Sequence, residues 1–95
     1  MHLHFTGKIF YWRGPAPHFF VAVPDEQSAE IKAVANYVTY GWGVIPVIGR
    51  IGKTEFKTSL FPKKGRYLVP LKIAVRQAEN LDLEDEVTIH LQIQG

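Results

Sequence analysis

Between Arg66 and Gln92 the spacing of apolar residues changes period, and that change dictates a strand, a helix and a second strand in succession. Arg66–Val69 reads as the first strand. Pro70 suits the opening position of a helix, where its missing N–H has no intrahelical partner to lose. From there to about Glu79, Leu71, Ala74, Val75 and Ala78 recur at helical spacing and predict one apolar face, while Lys72, Arg76, Gln77 and Glu79 are polar. Asn80 tolerates the left-handed conformation that closes a helix. After an acidic turn, Val87, Ile89, Leu91 and Ile93 alternate with Thr88, His90, Gln92 and Gln94. Period two predicts a closing strand, Glu86–Ile93, with one buried and one wet face.

The rest of the chain reads as the other part of a small barrel that this unit completes. His2–Trp12 alternates loosely, and Gly7 in its middle is expected to mark a bulge or bend. Arg13–Pro17 has the composition of a turn. His18–Val23 is nearly all apolar, the signature of a strand covered on both sides. Pro24 ends it, Asp25 is a good N-cap, and Ile31, Val34, Ala35 and Val38 predict a helix from about Glu26 to Val38. Tyr40–Gly43 is a glycine-punctuated loop. Val44–Ile51 and Thr54–Phe61 read as strands joined by a tight turn at Gly52–Lys53, with Pro46 confined to an edge or a strand start. Pro62–Gly65 is a further turn. The fold class expected is mainly β: one domain over 1–95, a small barrel of about six strands with two short helices.

Composition narrows the setting. An apolar fraction of 46% with 13% aromatics is that of a folded domain. There is no cysteine, so disulfides and thiolate metal sites are excluded. No apolar run approaches the roughly 20 residues of a membrane span. The first residues lack the basic-then-apolar layout of a secretion signal. A soluble, cytoplasmic protein without membrane contact is the expectation.

The net charge of +2 conceals a segregation. Arg50, Lys53, Lys57, Lys63, Lys64, Arg66, Lys72 and Arg76 stand against one acid, Glu55, between positions 50 and 76; Glu79, Asp82, Glu84, Asp85 and Glu86 follow without any base. Clustered bases raise the local potential and suit a polyanion. Solvated strand faces, partly neutralised by the acidic block, are the plainer account. Trp12 and Trp42 are expected to pack in the core or at the barrel rim. Alternatively one of them floors a groove beside Arg50, Lys53 or Lys57, since aromatics among bases make sequence-tolerant single-strand sites. Arg76 either reaches acids such as Glu79 or Asp82 or joins a ligand pocket. The candidate ligand or polyanion residues are therefore Trp42, Arg50, Lys53, Lys57 and Arg76.

No catalytic constellation is legible. Ser59 and Thr58 lack a nucleophile elbow, and no glycine-rich phosphate loop precedes a helix. His2 and His4 share a strand face but have no cysteine or paired carboxylate to complete a metal site; they read as exposed residues near a mobile terminus. His90 reads as a wet-face residue and His18 as a packing residue beside a turn. Neither a cofactor nor a metal is implied.

The runs Phe5–Ile9 (FTGKI), Phe20–Pro24, Val44–Val47, Lys57–Pro62 (KTSLFP) and Tyr67–Arg76 (YLVPLKIAVR) together resemble a family of small prokaryotic domains of unknown function. The resemblance covers nearly the whole chain, and its last two runs are the most specific. It implies a double-split β-barrel, distantly akin to the swapped-hairpin barrels of AbrB, MazE and MraZ type. Those relatives share the strand, proline-led basic helix, turn and strand of Arg66–Gln92, with glycine where this chain has Glu84. They bind DNA as intertwined dimers, whereas this longer chain resembles a single-chain barrel, a monomer or weak homo-oligomer. The resemblance brings no reaction with it. The function expected is a non-enzymatic binding or interaction module with a basic surface. Its alternatives are a nucleic-acid-binding protein and a small-ligand protein or enzyme with a pocket near the tryptophans.

Overall fold

A computed structural model of the chain describes residues 1–13, 17–38 and 44–93. Seven strands and two helices follow in the order β1 (His2–Lys8), β2 (Phe10–Arg13), β3 (Pro17–Ala22), α1 (Asp25–Val38), β4 (Ile45–Ile51), β5 (Thr54–Lys63), β6 (Arg66–Leu71), α2 (Ile73–Ala78) and β7 (Glu86–Ile93). All pairings are antiparallel and form one sheet in the order β1-β7-β4-β5-β6-β3-β2. The two edge strands of that sheet, β1 and β2, are separated in sequence by Ile9 alone. The sheet must therefore curl until its edges meet, and it forms a half-barrel whose concave face is the core.

Ile9, rather than Gly7, is where the first strand divides. Its side chain is fully buried, its N–H donates to the Asp85 carbonyl at 2.9 Å, and its carbonyl accepts from the Glu84 N–H at 2.9 Å. The acidic turn thus takes over the hydrogen bonds that β7 supplies to β1. Gly7 stays inside β1, opposite Val87. A Cβ there would stand 2.9 Å from Val21 Cγ1, so glycine lets β1 cross closely over β3.

The concave face carries Phe5, Val21, Val47, Leu60, Val69, Ile89 and Leu91 in one core with Ile31 of α1 and Val75 of α2. β7 shows the expected alternation along its whole length, Val87 to Ile93 inward and Glu86 to Gln92 outward. Asp25 opens α1 as its first residue, and its carboxylate accepts from Arg66 Nε at 2.6 Å. Ile31 of the predicted apolar stripe is buried and Val34 half-buried, while the side chains of Ala35 and Val38 lie outside the described residues.

Turn chemistry is legible in the backbone. Gly52 adopts φ +58° between β4 and β5, and Lys64 and Gly65 adopt +50° and +81° between β5 and β6, the left-handed values two-residue hairpins need. Asn80 closes α2 at φ +55°, and Glu84 holds φ +69° in the acidic turn. Pro46 is the second residue of β4, ahead of the Val47–Arg50 segment that pairs with β7. The turn expected at Pro62–Gly65 is shorter, because β5 runs on through Pro62 to Lys63.

Pro70 corrects the sequence expectation. It does not start a helix; it lies buried inside β6, opposite Phe20 of β3. Tyr67–Leu71 is a continuous buried run, and its burial between β3 and the core outweighs the helical spacing of Leu71, Ala74 and Val75. Pairing with β5 ends at Leu68, so at Pro70 the strand has a partner on one side only, which proline tolerates. α2 begins at Ile73 and buries Val75, while Ala74 and Ala78 remain exposed.

Candidate functional site

The convex face of β1, β7, β4 and β5 carries polar side chains that strand register aligns into rungs. One rung runs His4, His90, Arg50, Glu55; the next runs His2, Gln92, Ile48, Lys57. At about 4.8 Å between strands a rung spans about 14 Å, and two residues along a strand set the rungs about 7 Å apart. These residues line an open groove of about 350 Å³, floored by Ile48, Gly49 and Leu91, with Lys57 just beyond it.

The strands that carry these groups are paired in the sheet. β1 is pinned to β7 along its full length, with a hydrogen bond of 2.9 Å between the Thr6 and Thr88 hydroxyls. The Met1 carbonyl accepts from the Ile93 N–H at 2.8 Å. His2 and His4 are exposed as expected, but they belong to a paired strand rather than a loose terminus. The His4 and His90 rings stack with centroids 5.4 Å apart and planes 28° apart. Arg50 Nη1 donates to the Gly52 carbonyl at 3.1 Å, which holds the guanidinium over the hairpin end. Among the described residues no carboxylate approaches it within 4.0 Å; the ion pair found is Arg66 with Asp25. The acidic block therefore does not neutralise the basic one by close pairing.

The described residues expected to form a site separate into two groups. Arg50, Lys53 and Lys57 stay together on the exposed β4–β5 hairpin. Arg76 lies elsewhere, on α2 at the concave side: its guanidinium stacks on Phe19 at 3.8 Å, and its Nε is buried without a hydrogen-bond partner. Neither Glu79 nor Asp82 pairs with it; Glu79 accepts from the Thr54 hydroxyl at 2.5 Å instead. Trp42 lies outside the described residues. Trp12 packs edge-on to Phe20 at 5.5 Å, with Lys63 Nζ 4.1 Å from its ring, at the far end of the sheet from Arg50. Phe10 and Phe61 complete that aromatic cluster.

Sequence reasoning passed over His2, His4, His90 and Gln92 as parts of one site. The clue lay in their shared parity, His2 and His4 on one strand and His90 and Gln92 on another. What joins them is the pairing of the first strand with the last, which no local pattern reveals. Among the described residues no group of three or more His, Asp or Glu is arranged to hold a metal ion, and no helix is long and apolar enough to cross a membrane.

The family described as Domain of unknown function (DUF1905) matches residues 5–91, from Phe5 in β1 to Leu91 in β7. No curated protein matches the chain.

Proposed function

This chain belongs to the DUF1905 family, and on that premise we propose that it is a non-enzymatic, cytoplasmic binding module whose β4–β5 hairpin receives an anionic ligand. The observation that carries the reading is that Arg50, Lys53 and Lys57 share an exposed hairpin with no carboxylate within 4.0 Å of any of them among the described residues. Bases that no carboxylate pairs at close range raise the local potential of the hairpin.

A second reading, which we also propose, is that the barrel closes in double-split fashion, akin to the swapped-hairpin regulators, and that the anion is a nucleic-acid backbone. The Lys63–Trp12 stack supports that second reading, since an aromatic ring beside a base is the element of single-strand sites. Titrating a mixed pool of short DNA and RNA at low and at physiological salt tests both. Three phosphate contacts give a log–log salt slope of about −2 to −3. Lys53→Glu with Lys57→Glu abolishes the binding, and Trp12→Ala weakens it only if bases stack there. Absence of binding at low salt refutes the polyanion reading.

A further inference from the structure

Resting on the reading of this convex face as the ligand surface, we infer that the groove of His2, His4, His90 and Arg50 is an acid-strengthened site for a compact oxyanion. The ligand class is a phosphoryl or sulfuryl group, free or on a small molecule. A groove of about 350 Å³ falls at the small end of ligand sites, too small for a duplex and ample for one such group with its substituent.

The donor inventory points to an anion. Arg50 spends one Nη1 donor on the Gly52 carbonyl and keeps the rest of its fork free. Gln92 adds an amide, and each imidazole adds a donor when neutral and two when charged. The charges facing the histidines are few. From β4 comes Arg50, and from β5 Glu55 in the groove with Lys57 beyond it. On β1 and β7 the nearest charged pair is Lys8 opposite Glu86, at the far end of both strands. The Met1 amine donates to the Ile93 carbonyl at 2.9 Å, and from α1 the neutral Gln27 donates to the His4 carbonyl at 2.8 Å, with Glu30 three residues further along the same helix.

With the histidines neutral, the lining charges of Arg50 and Glu55 balance, and Lys57 and the Met1 amine stand just beyond them. Acid adds up to three positive charges. His4 and His90, stacked at 5.4 Å, repel each other once both carry a proton. A dianion lying across the pair cancels that repulsion, so proton uptake and anion binding strengthen each other. Protonation gives an imidazole a positive charge and a second donor, so binding is compared at about pH 8 and at about pH 5.5. Each imidazolium the anion requires therefore strengthens binding at the lower pH.

Inorganic sulfate is the probe, because it stays dianionic throughout and the protein alone titrates. Calorimetric titration of the full chain at the two pH values, with the imidazole proton resonances followed by NMR, is expected to show sulfate affinity at least about tenfold higher in acid. The resonances of His4 and His90 shift with sulfate. Arg50→Gln weakens binding at both pH values, whereas His4→Gln and His90→Gln flatten the pH dependence. These side chains are exposed, so the variants keep the fold; should one fail to, the sulfate-induced shifts in the unaltered protein still decide. Sulfate affinity equal at the two pH values, or shifts confined to other residues, overturns the inference. If sulfate fails while salt-sensitive nucleic-acid binding through Lys53 and Lys57 persists, the groove falls and the binding-module reading stands. If neither ligand binds, both fall.

Discussion

Removing one hydroxyl, in Ser28→Ala, is expected to unlock α1 from the sheet. Ser28 is 1% exposed, and its Oγ donates to the Val23 carbonyl at 3.1 Å while accepting from the Tyr67 N–H at 3.1 Å. Both backbone groups stand where β3 and β6 meet beneath the helix. Alanine leaves the Tyr67 N–H buried with no acceptor, a desolvation cost of about 1–3 kcal/mol, and removes a second bond worth about 1 kcal/mol. Its better helix propensity returns only about 0.5 kcal/mol. The loss wins, at about 2 kcal/mol net against a total of about 5–14 kcal/mol for a chain of this length. Thermal unfolding followed by circular dichroism should show Tm lowered by about 8–16 °C. Amide exchange at Tyr67 should quicken beyond the global change, because the neighbouring Val23 N–H keeps its bond to the Tyr67 carbonyl at 2.8 Å. A Tm shift below about 3 °C refutes the reasoning, since it means water or a relaxed backbone satisfies the Tyr67 N–H.

Two further changes probe packing and burial. Gly49→Ala places a Cβ 2.6 Å from Phe56 Cζ, and urea unfolding should show a loss of about 1–3 kcal/mol that Phe56→Leu partly restores; additive effects in the double variant contradict the contact. Burial pushes the Tyr67 hydroxyl above its usual 10.0, so the folded protein keeps a proton that the unfolded chain releases. Stability is then intact below pH 10.0 and falls as pH rises from there through the folded value. Tyr67→Phe should flatten that alkaline decline, and an unchanged pH profile would assign the decline to other groups.

Where local chemistry decides, the sequence is a faithful guide. The hairpin at Gly52–Lys53, the left-handed Asn80 and the full alternation of β7 are all legible from residue type and spacing. The candidate site is legible only in part. Arg50, Lys53 and Lys57 remain neighbours because one hairpin holds them. Arg76, part of the same basic run, ends on the opposite side of the sheet against Phe19. A run of bases along the chain is not a patch in space when strands alternate faces and a helix intervenes.

By itself the sequence determined the number and kind of its building blocks within one strand, the tight turn at Gly52–Lys53, and which face of β7 is wet. Those are properties of a few consecutive residues: side-chain period and the φ a glycine or asparagine tolerates. Only the tertiary structure decided that Pro70 is a strand residue, that the first strand divides at Ile9, and that β1 pairs with β7 to bring His4 against His90. Each of these follows from which distant segment is available to bury an apolar run or complete a hydrogen-bond ladder. A partner more than eighty positions away along the chain leaves no trace in local spacing, and the curl that makes the two edges meet at one buried isoleucine exists only once all seven strands are paired.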